Sequence, residues 1–326
     1  MNRRHVLGLG AAGALAPFAG QAQSPAWPTQ PTRMVIPFAA GGPTDVVGRL
    51  IADRMSEFLP QRVVVENRTG SGVVIGTDVV AKAPKDGSTI LYSTIAHAVL
   101  RALFPRLPFD PIADFAPVAL CGQIPMIMLV HPSLGVSNAQ ELFALLRNNP
   151  GKYDYASSGN GGAVHLATEL LWHEAGGLRV NHVPYRGSSA AMADVLSGRI
   201  PIIMDVAAGA LPYLARGELR GIGISDMQRS PVAPNVPTFN EQGVRNFVAY
   251  TWHMILVPSG TPAPIIQAIN AATNRVMSQD LVRSRLRDLT MNVVADSTPD
   301  SAKAFLDAEI AKWEPIIRSA GITANG

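Results

Sequence analysis

Cysteine is almost absent from this chain: Cys121 is the only one among 326 residues, so no internal disulfide can form and no thiol follows the leader to carry a lipid. Charge is sparse, at 16% Asp, Glu, Lys and Arg with a formal net charge of +3, and two of the arginines sit in that leader. This balance points to neither nucleic acid nor a membrane surface as a partner. Long apolar runs are missing beyond the leader; the longest, Met126 to Val130 with its neighbours, is far too short to span a bilayer. Catalytic signatures are missing as well. His173-Glu174 lacks the second histidine of a zinc protease helix, and the other histidines have no metal-ligand spacing. Neither G-x-S-x-G nor G-x-x-x-x-G-K occurs. The chain is therefore expected to have no catalytic residues, resident metal or cofactor. The alternatives are a secreted hydrolase acting on a small carboxylate or ester, or a sensor that presents its closed form to a signalling partner.

What is there begins with an export signal. Arg3-Arg4 precede an uncharged apolar run from Val6 to Gly20, and Gln21-Ala22-Gln23-Ser24 offers small residues to a signal peptidase. The paired arginines with Val6 and Leu7 resemble part of a twin-arginine motif without its flanking Ser/Thr and Lys, so Sec and twin-arginine routes both stay open. Gly8-x-Gly10-x-x-Gly13 matches the dinucleotide fingerprint in letters only, with no room for a strand ahead of it. Cleavage near Ser24 leaves 302 residues at a formal charge of +1, enough for two domains at about 150 residues each. A soluble periplasmic protein is expected, working as a monomer.

The most informative stretch is Ile36 to Asp45, I-P-F-A-A-G-G-P-T-D, where an apolar strand meets a glycine turn that opens a helix. Beyond Thr44, apolar residues fall at Val46, Val47, Leu50, Ile51, Met55 and Phe58, the rhythm of one helical face. Gly41 and Gly42 let the backbone approach a ligand there, and the unpaired N–H groups and positive dipole end of the helix favour an anion. A second element of the same kind follows the strand Tyr153 to Ala156: Ser157-Ser158-Gly159-Asn160-Gly161-Gly162, then a helix through His165, Leu166, Leu170 and Leu171. Two such seats suggest a cleft that grips a carboxylate from both sides.

Elsewhere strands and helices alternate in βαβ order. Strands are expected at Arg33 to Phe38, Arg62 to Glu66, Thr89 to Ser93 and Pro125 to Val130, with helices at Asp45 to Leu59 and Ile75 to Ala83. Pro105 to Pro117 reads as a Pro-rich passage, and Ser137-x-x-Gln140 as a capping box. Alternation resumes through Ile224, a breaker-rich segment spans Pro231 to Gly243, and Tyr250 to Val257 is again a strand. The helical tail, Pro264 to Leu289 and Pro299 to Ala320, cannot bury its own core and is expected to pack back on the first domain. The chain then crosses between domains twice, giving an export signal over residues 1–24, one lobe from 25–125 plus 254–326, and a second lobe from 126–253. There is no internal sequence repeat.

These residues carry a family resemblance over essentially the whole mature chain. P-F-A-A-G-G-P-T-D (Pro37 to Asp45), V-V-V-E-N-R-T-G-S-G (Val63 to Gly72), S-S-G-N-G-G-A-V-H-L-A-T-E-L (Ser157 to Leu170), H-V-P-Y-R-G (His182 to Gly187) and P-S-G-T-P (Pro258 to Pro262) closely resemble the Bug family in order and spacing. These are the periplasmic solute-binding proteins of tripartite tricarboxylate transporters. The resemblance implies a two-lobed α/β binding protein of the Venus-flytrap type, closing over a small carboxylate-bearing organic acid and delivering it to membrane permease subunits. It also implies that the glycine turn and the Ser-rich turn hold the carboxylate, partly through ordered waters. Met254 departs from the pattern, standing where a glycine usually follows the tryptophan by two.

The candidate ligand-binding residues each have a plainer role available. Phe38, Ala39, Gly41, Gly42, Thr44 and Asp45 form the first turn, and Thr44 or Asp45 can serve only as a helix cap. Ser93 and Thr94 end the third strand on the edge where open α/β sheets bind ligands, whereas His97 is expected to settle the loop beyond them. Ser157, Ser158, Gly159 and Asn160 are dense enough to exceed ordinary turn chemistry. Tyr185 and Arg186 open another helix, and Arg186 offers a fork of donors to a carboxylate. Asp205 either meets a donor on the ligand or fixes the crossover by accepting backbone N–H groups. Which organic acid is bound does not follow from these residues.

Overall fold

In a computed structural model, residues 27–185, 187–319 and 321–324 are described. The expected leader and Arg186 lie outside them. The chain runs β1 (Thr32–Ile36), α1 (Pro43–Met55), β2 (Val63–Asn67), α2 (Val74–Ala81), β3 (Thr89–Ser93), α3 (Ile95–Leu103), β4 (Phe115–Val130), α4 (Ala139–Asn148), β5 (Asp154–Ser157) and α5 (Ala163–Glu174). It continues through β6 (Asn181–Pro184), α6 (Ser188–Leu196), β7 (Ile202–Val206), α7 (Ala207–Ala215), β8 (Arg220–Ile224), β9 (Tyr250–Pro258), α8 (Ala263–Met277), α9 (Asp280–Asp288), β10 (Asn292–Val293) and α10 (Pro299–Ser319).

The fold is a two-lobed α/β architecture in which one long strand is shared by two sheets. In lobe 1, β2, β1 and β3 are parallel, and β9 and β4 extend the sheet antiparallel. In lobe 2, β6, β5 and β7 are parallel, and the end of β4 joins them between β7 and β8. β4 belongs to both sheets: Phe115 to Pro125 pair with β9, and from Met126 onward the partners are β7 and β8. Pro125, which has no N–H to give a ladder, stands at the change of partner. Ser225 stitches the two crossing strands there, its Oγ accepting from Met126 N at 2.9 Å and donating to Ala249 O at 2.5 Å.

Side-chain alternation along these strands builds three cores. One runs unbroken across both lobes and includes Leu91, Val99, Met128, Tyr155, Leu171 and Trp313. Ile36, Ile51, Ile255 and Ile269 fill the other face of lobe 1, and Ile127, Ala156, Ile203 and Ala210 that of lobe 2. The tail does pack back on lobe 1, but α10 reaches further and lies against β4, α3 and α5 together. Its Glu309 accepts from Trp252 Nε1 of β9 at 2.9 Å and from Trp313 Nε1 at 3.0 Å. Both indoles are fully buried, so Glu309→Ala leaves two donors unsatisfied. A loss of about 2–4 kcal/mol in a urea melt is expected; a change under about 1 kcal/mol would mean water replaces the carboxylate.

Four sequence expectations are corrected. The segment after Thr94 is not a loop but α3, whose first turn is capped by Thr94 Oγ1 accepting from Ala96 N at 3.4 Å. The Pro-rich passage ends in strand, since β4 begins at Phe115 and tolerates its prolines beside register shifts at Pro117/Ala119 and Leu120/Gly122. The capping box is displaced by one residue: Asn138 caps α4 by accepting from Glu141 N, and Glu141 Oε2 accepts from Ser137 N. The expected helix from Pro264 to Leu289 is two, α8 and α9, separated at Ser278-Gln279.

Candidate functional site

The two glycine turns share one construction. After β1, Gly41 is left-handed at φ 77° and Gly42 is extended at φ −73°, ψ 166°. After β5, Gly161 has φ 66° and Gly162 φ −71°, ψ 162°. The backbone closures agree: Gly42 N donates to Ala39 O and Gly162 N to Gly159 O, each at 3.3 Å, while Val46 N and Leu166 N donate to Gly42 O and Gly162 O, each at 3.0 Å. A left-handed position admits glycine without strain, which accounts for Gly41 and Gly161; at Gly42 and Gly162 a Cβ would instead press on Ala39 O at 3.2 Å and on Gly159 O at 3.3 Å.

A side chain four residues on braces each turn. Asp45, 2% exposed, accepts from Gly41 N and Arg49 Nε, each at 2.8 Å on Oδ2, and from Asn67 Nδ2 at 2.8 Å on Oδ1. Asn67 also donates to Phe38 O and accepts from Arg49. Burial pushes the Asp45 carboxyl up, but the bonds from Arg49, Gly41 and Asn67 outweigh it and hold the group at about 2. Both oxygens are thus engaged within the protein. In the second turn His165 Nδ1 accepts from Gly161 N at 3.0 Å. Ser157, fully buried, is bonded to His182 Nε2 at 2.6 Å and accepts from Gly159 N at 3.1 Å.

The remaining candidates divide. Ala39, Ala40 and Gly41 are exposed, and Thr44, Ser158, Gly159 and Asn160 are half-buried. An open cavity of about 250 Å³ brings Phe38 together with Asn160, Gly161 and Gly162. Its other walls went unrecognised in the sequence: the Ser71–Gly72–Val73 loop and the apolar face of α3 with Ala96, Val99 and Leu103. Ser93 is fully buried, and its Oγ has no partner among the described residues. Tyr185 turns its hydroxyl to Asp194 of α6. Asp205 is 2% exposed; its Oδ1 accepts from Val206 N and Ser188 Oγ, each at 2.9 Å, and burial raises its carboxyl to about 6. His97 lies on α3, held by Pro111 O at 2.8 Å. Arg49 could have been found by its i+4 spacing from Asp45, and His165 stands on the first turn of α5, four residues beyond Gly161; Asn67 and His182 carried no such local signal.

Against this geometry the similarities fall into place. Residues 47–322 match the family described as tripartite tricarboxylate transporter family receptor. Protein BugT of Bordetella pertussis is 34% identical over 311 residues, covering 94% of each chain. An R. palustris protein solved with adipate superimposes with a TM-score of 0.80 at 32% identity, covering 91% of this chain and 99% of that one. MatC from Rhodopseudomonas palustris with bound malate gives 0.78 at 32% identity, covering 89% and 100%. Among the described residues no helix is long and apolar enough to cross a membrane. With its twin helix-opening turns and a match over most of its length, the chain belongs to the tripartite tricarboxylate transporter receptors of the Bug type.

Proposed function

We propose that this protein is a periplasmic receptor that captures a small organic acid between its lobes and delivers it to a tripartite tricarboxylate-type permease, catalysing no reaction. The carrying observation is the pair of matching turns, each presenting free helix N–H groups at the C-terminal edge of its sheet. The acids named with two relatives, adipate and malate, support a carboxylate ligand. In this reading the backbone from Ala39 to Thr44 and the groups of Ser158 and Asn160 contact the acid. Ser93, Thr94, Tyr185, Arg186 and Asp205 are further candidates for contact with the acid. Lobes of 25–125 plus 254–326 and 126–253 move about the crossings near Pro125 and Trp252.

One observation favours a hydrolase: Ser157 and His182, 2.6 Å apart, have the spacing of a nucleophile and its base. The buried Ser157 hydroxyl also accepts from Gly159 N, so bracing of the turn accounts for the pair better.

The test is a thermal-shift screen of acetate, malate, succinate, adipate, citrate, benzoate and glutamate, followed by calorimetry with the best acid and its amide. The acid is expected to bind and the amide to bind far more weakly. Ser158→Ala should weaken the acid by roughly tenfold to a hundredfold. Equal binding of acid and amide, or turnover of the matching ester, would overturn the reading.

A further inference from the structure

The two turns are built alike but braced by opposite kinds of group. Beneath the lobe 1 turn lies the ionised carboxylate of Asp45, with Arg49, 46% exposed at its side chain, offsetting it from the solvent side. Beneath the lobe 2 turn lies an imidazole that accepts from Gly161 N at Nδ1. An accepting Nδ1 carries no proton, which specifies the neutral Nε2–H tautomer of His165. His182 stacks on it with centroids 3.7 Å apart and planes inclined by 18°, and Tyr155 stacks on His182 at 5.0 Å. Two imidazolium rings at that spacing would repel each other, so the stack and the hydrogen bond demand the same charge state. Charged groups on α5 and on the elements packed against it are engaged elsewhere. Glu169, one turn along α5, takes the Tyr155 hydroxyl. From α10, Glu309 holds two indoles and Lys312 donates to Val248 O. From β7, Asp205 accepts from Ser188.

The supply of amides differs in the same direction. α1 opens with Pro43, which has no N–H, so its first turn offers the amides of Thr44 and Asp45. α5 opens with Ala163 and offers those of Ala163, Val164 and His165. Lobe 2 therefore presents more donors and no negative charge beneath them.

We propose that His165, a positioning residue braced by His182, makes the lobe 2 turn rather than its lobe 1 twin the principal seat for the negative charge of the ligand. This rests on the reading of the two turns as a carboxylate site. A carboxylate under a turn fixes the glycine amide as well as an imidazole does, but it cancels much of the field that the helix end directs at a bound anion. Neutral bracing leaves that field intact.

The experiment exchanges the brace without removing it. His165→Asp imports the lobe 1 arrangement, whereas His165→Asn keeps a neutral acceptor. With the best acid of the screen, His165→Asn should bind within about fivefold of the unchanged protein and His165→Asp at least about a hundredfold more weakly. The amide of that acid should bind equally to both variants, a distinction that mere loosening of the turn would not produce. Nitrogen-15 NMR of histidine-labelled unchanged protein needs no variant to fold, and His165 should show an unprotonated Nδ1 at about pH 7 with the acid bound. Undiminished acid binding by folded His165→Asp, or an imidazolium signal from His165, overturns the inference while leaving the receptor reading standing. If no acid in the screen binds the unchanged protein, the receptor reading falls first and takes this one with it.

Discussion

Lowering the pH from 7 to 4.5 is expected to remove a large part of the folding free energy, and the cause is a set of buried neutral histidines. His97 and His253 are each 1% exposed, and burial pushes both imidazoles down to about 4. His253 stacks on Tyr92 at 5.4 Å, and its Nδ1 has no partner among the described residues. Burial likewise lowers His165, which His182 depresses further, to about 3, and lowers His182 itself to about 4. The unfolded chain takes up these protons near pH 6.5 and the folded chain does not. The stability they contribute is therefore complete above that pH and lost as pH falls toward 4. For His97 and His253 the loss is about 3 kcal/mol each, comparable together with the whole stability of many domains. Asp205 works in the opposite direction, since its raised carboxyl favours the fold below about 4 and loses that advantage as pH rises through about 6. Glu169, raised by burial as well, acts in the same direction, and these two carboxyls oppose four imidazoles. Thermal melts at half-unit pH steps should show a steep fall in Tm below pH 6.5, shallower in His253→Phe. A flat profile down to pH 4.5 would mean these imidazoles admit protons without unfolding.

Asp45→Ala should destabilise the protein by about 2–4 kcal/mol, although Asp45 stands at a turn on the surface of lobe 1. The substitution removes three charge-assisted bonds at once, from Gly41, Arg49 and Asn67, which frees the Gly41 turn and leaves Asn67 with Phe38 O as its remaining acceptor. Because its carboxyl is held at about 2, this contribution persists through the histidine window and is lost only as pH falls below about 4 toward 2. The two effects separate cleanly by pH. Asp45→Asn, which keeps an acceptor, should recover about half of the loss in urea melts. A change below about 1 kcal/mol for Asp45→Ala would show that Asn67 and Arg49 find other partners.

Much of the candidate site was legible because it is local. The turn after β1 announces itself by a strand, two glycines, a proline and an apolar period of 3.6 within twenty residues, and the turn after β5 does so almost as clearly. α3 escaped although Ile95, Val99, Leu100 and Leu103 keep a helical spacing and Arg101 is exposed, because nine residues give a period little more than two turns in which to show. The helix packs against both β9 and α10. Asp205 was left open between a ligand contact and a backbone brace; it accepts Val206 N and also Ser188 Oγ, which α6 brings to the same edge.

By itself, the sequence determined what depends on neighbours within about one helical turn: the strand and helix alternation, the left-handed glycines, the caps and the identity of the family. Tertiary structure decided which distant groups complete each feature. Asn67 reaches Asp45 across 22 positions, His182 reaches Ser157 across 25, and Ser225 reaches Met126 across 99. The physical reason lies in the pairing of strands. β1 sets the register that carries Asn67 beside the first turn, and β5 sets the one that carries His182 under the second. A register is chosen by the burial of whole faces, a property of the assembled sheet that no single stretch of the chain contains.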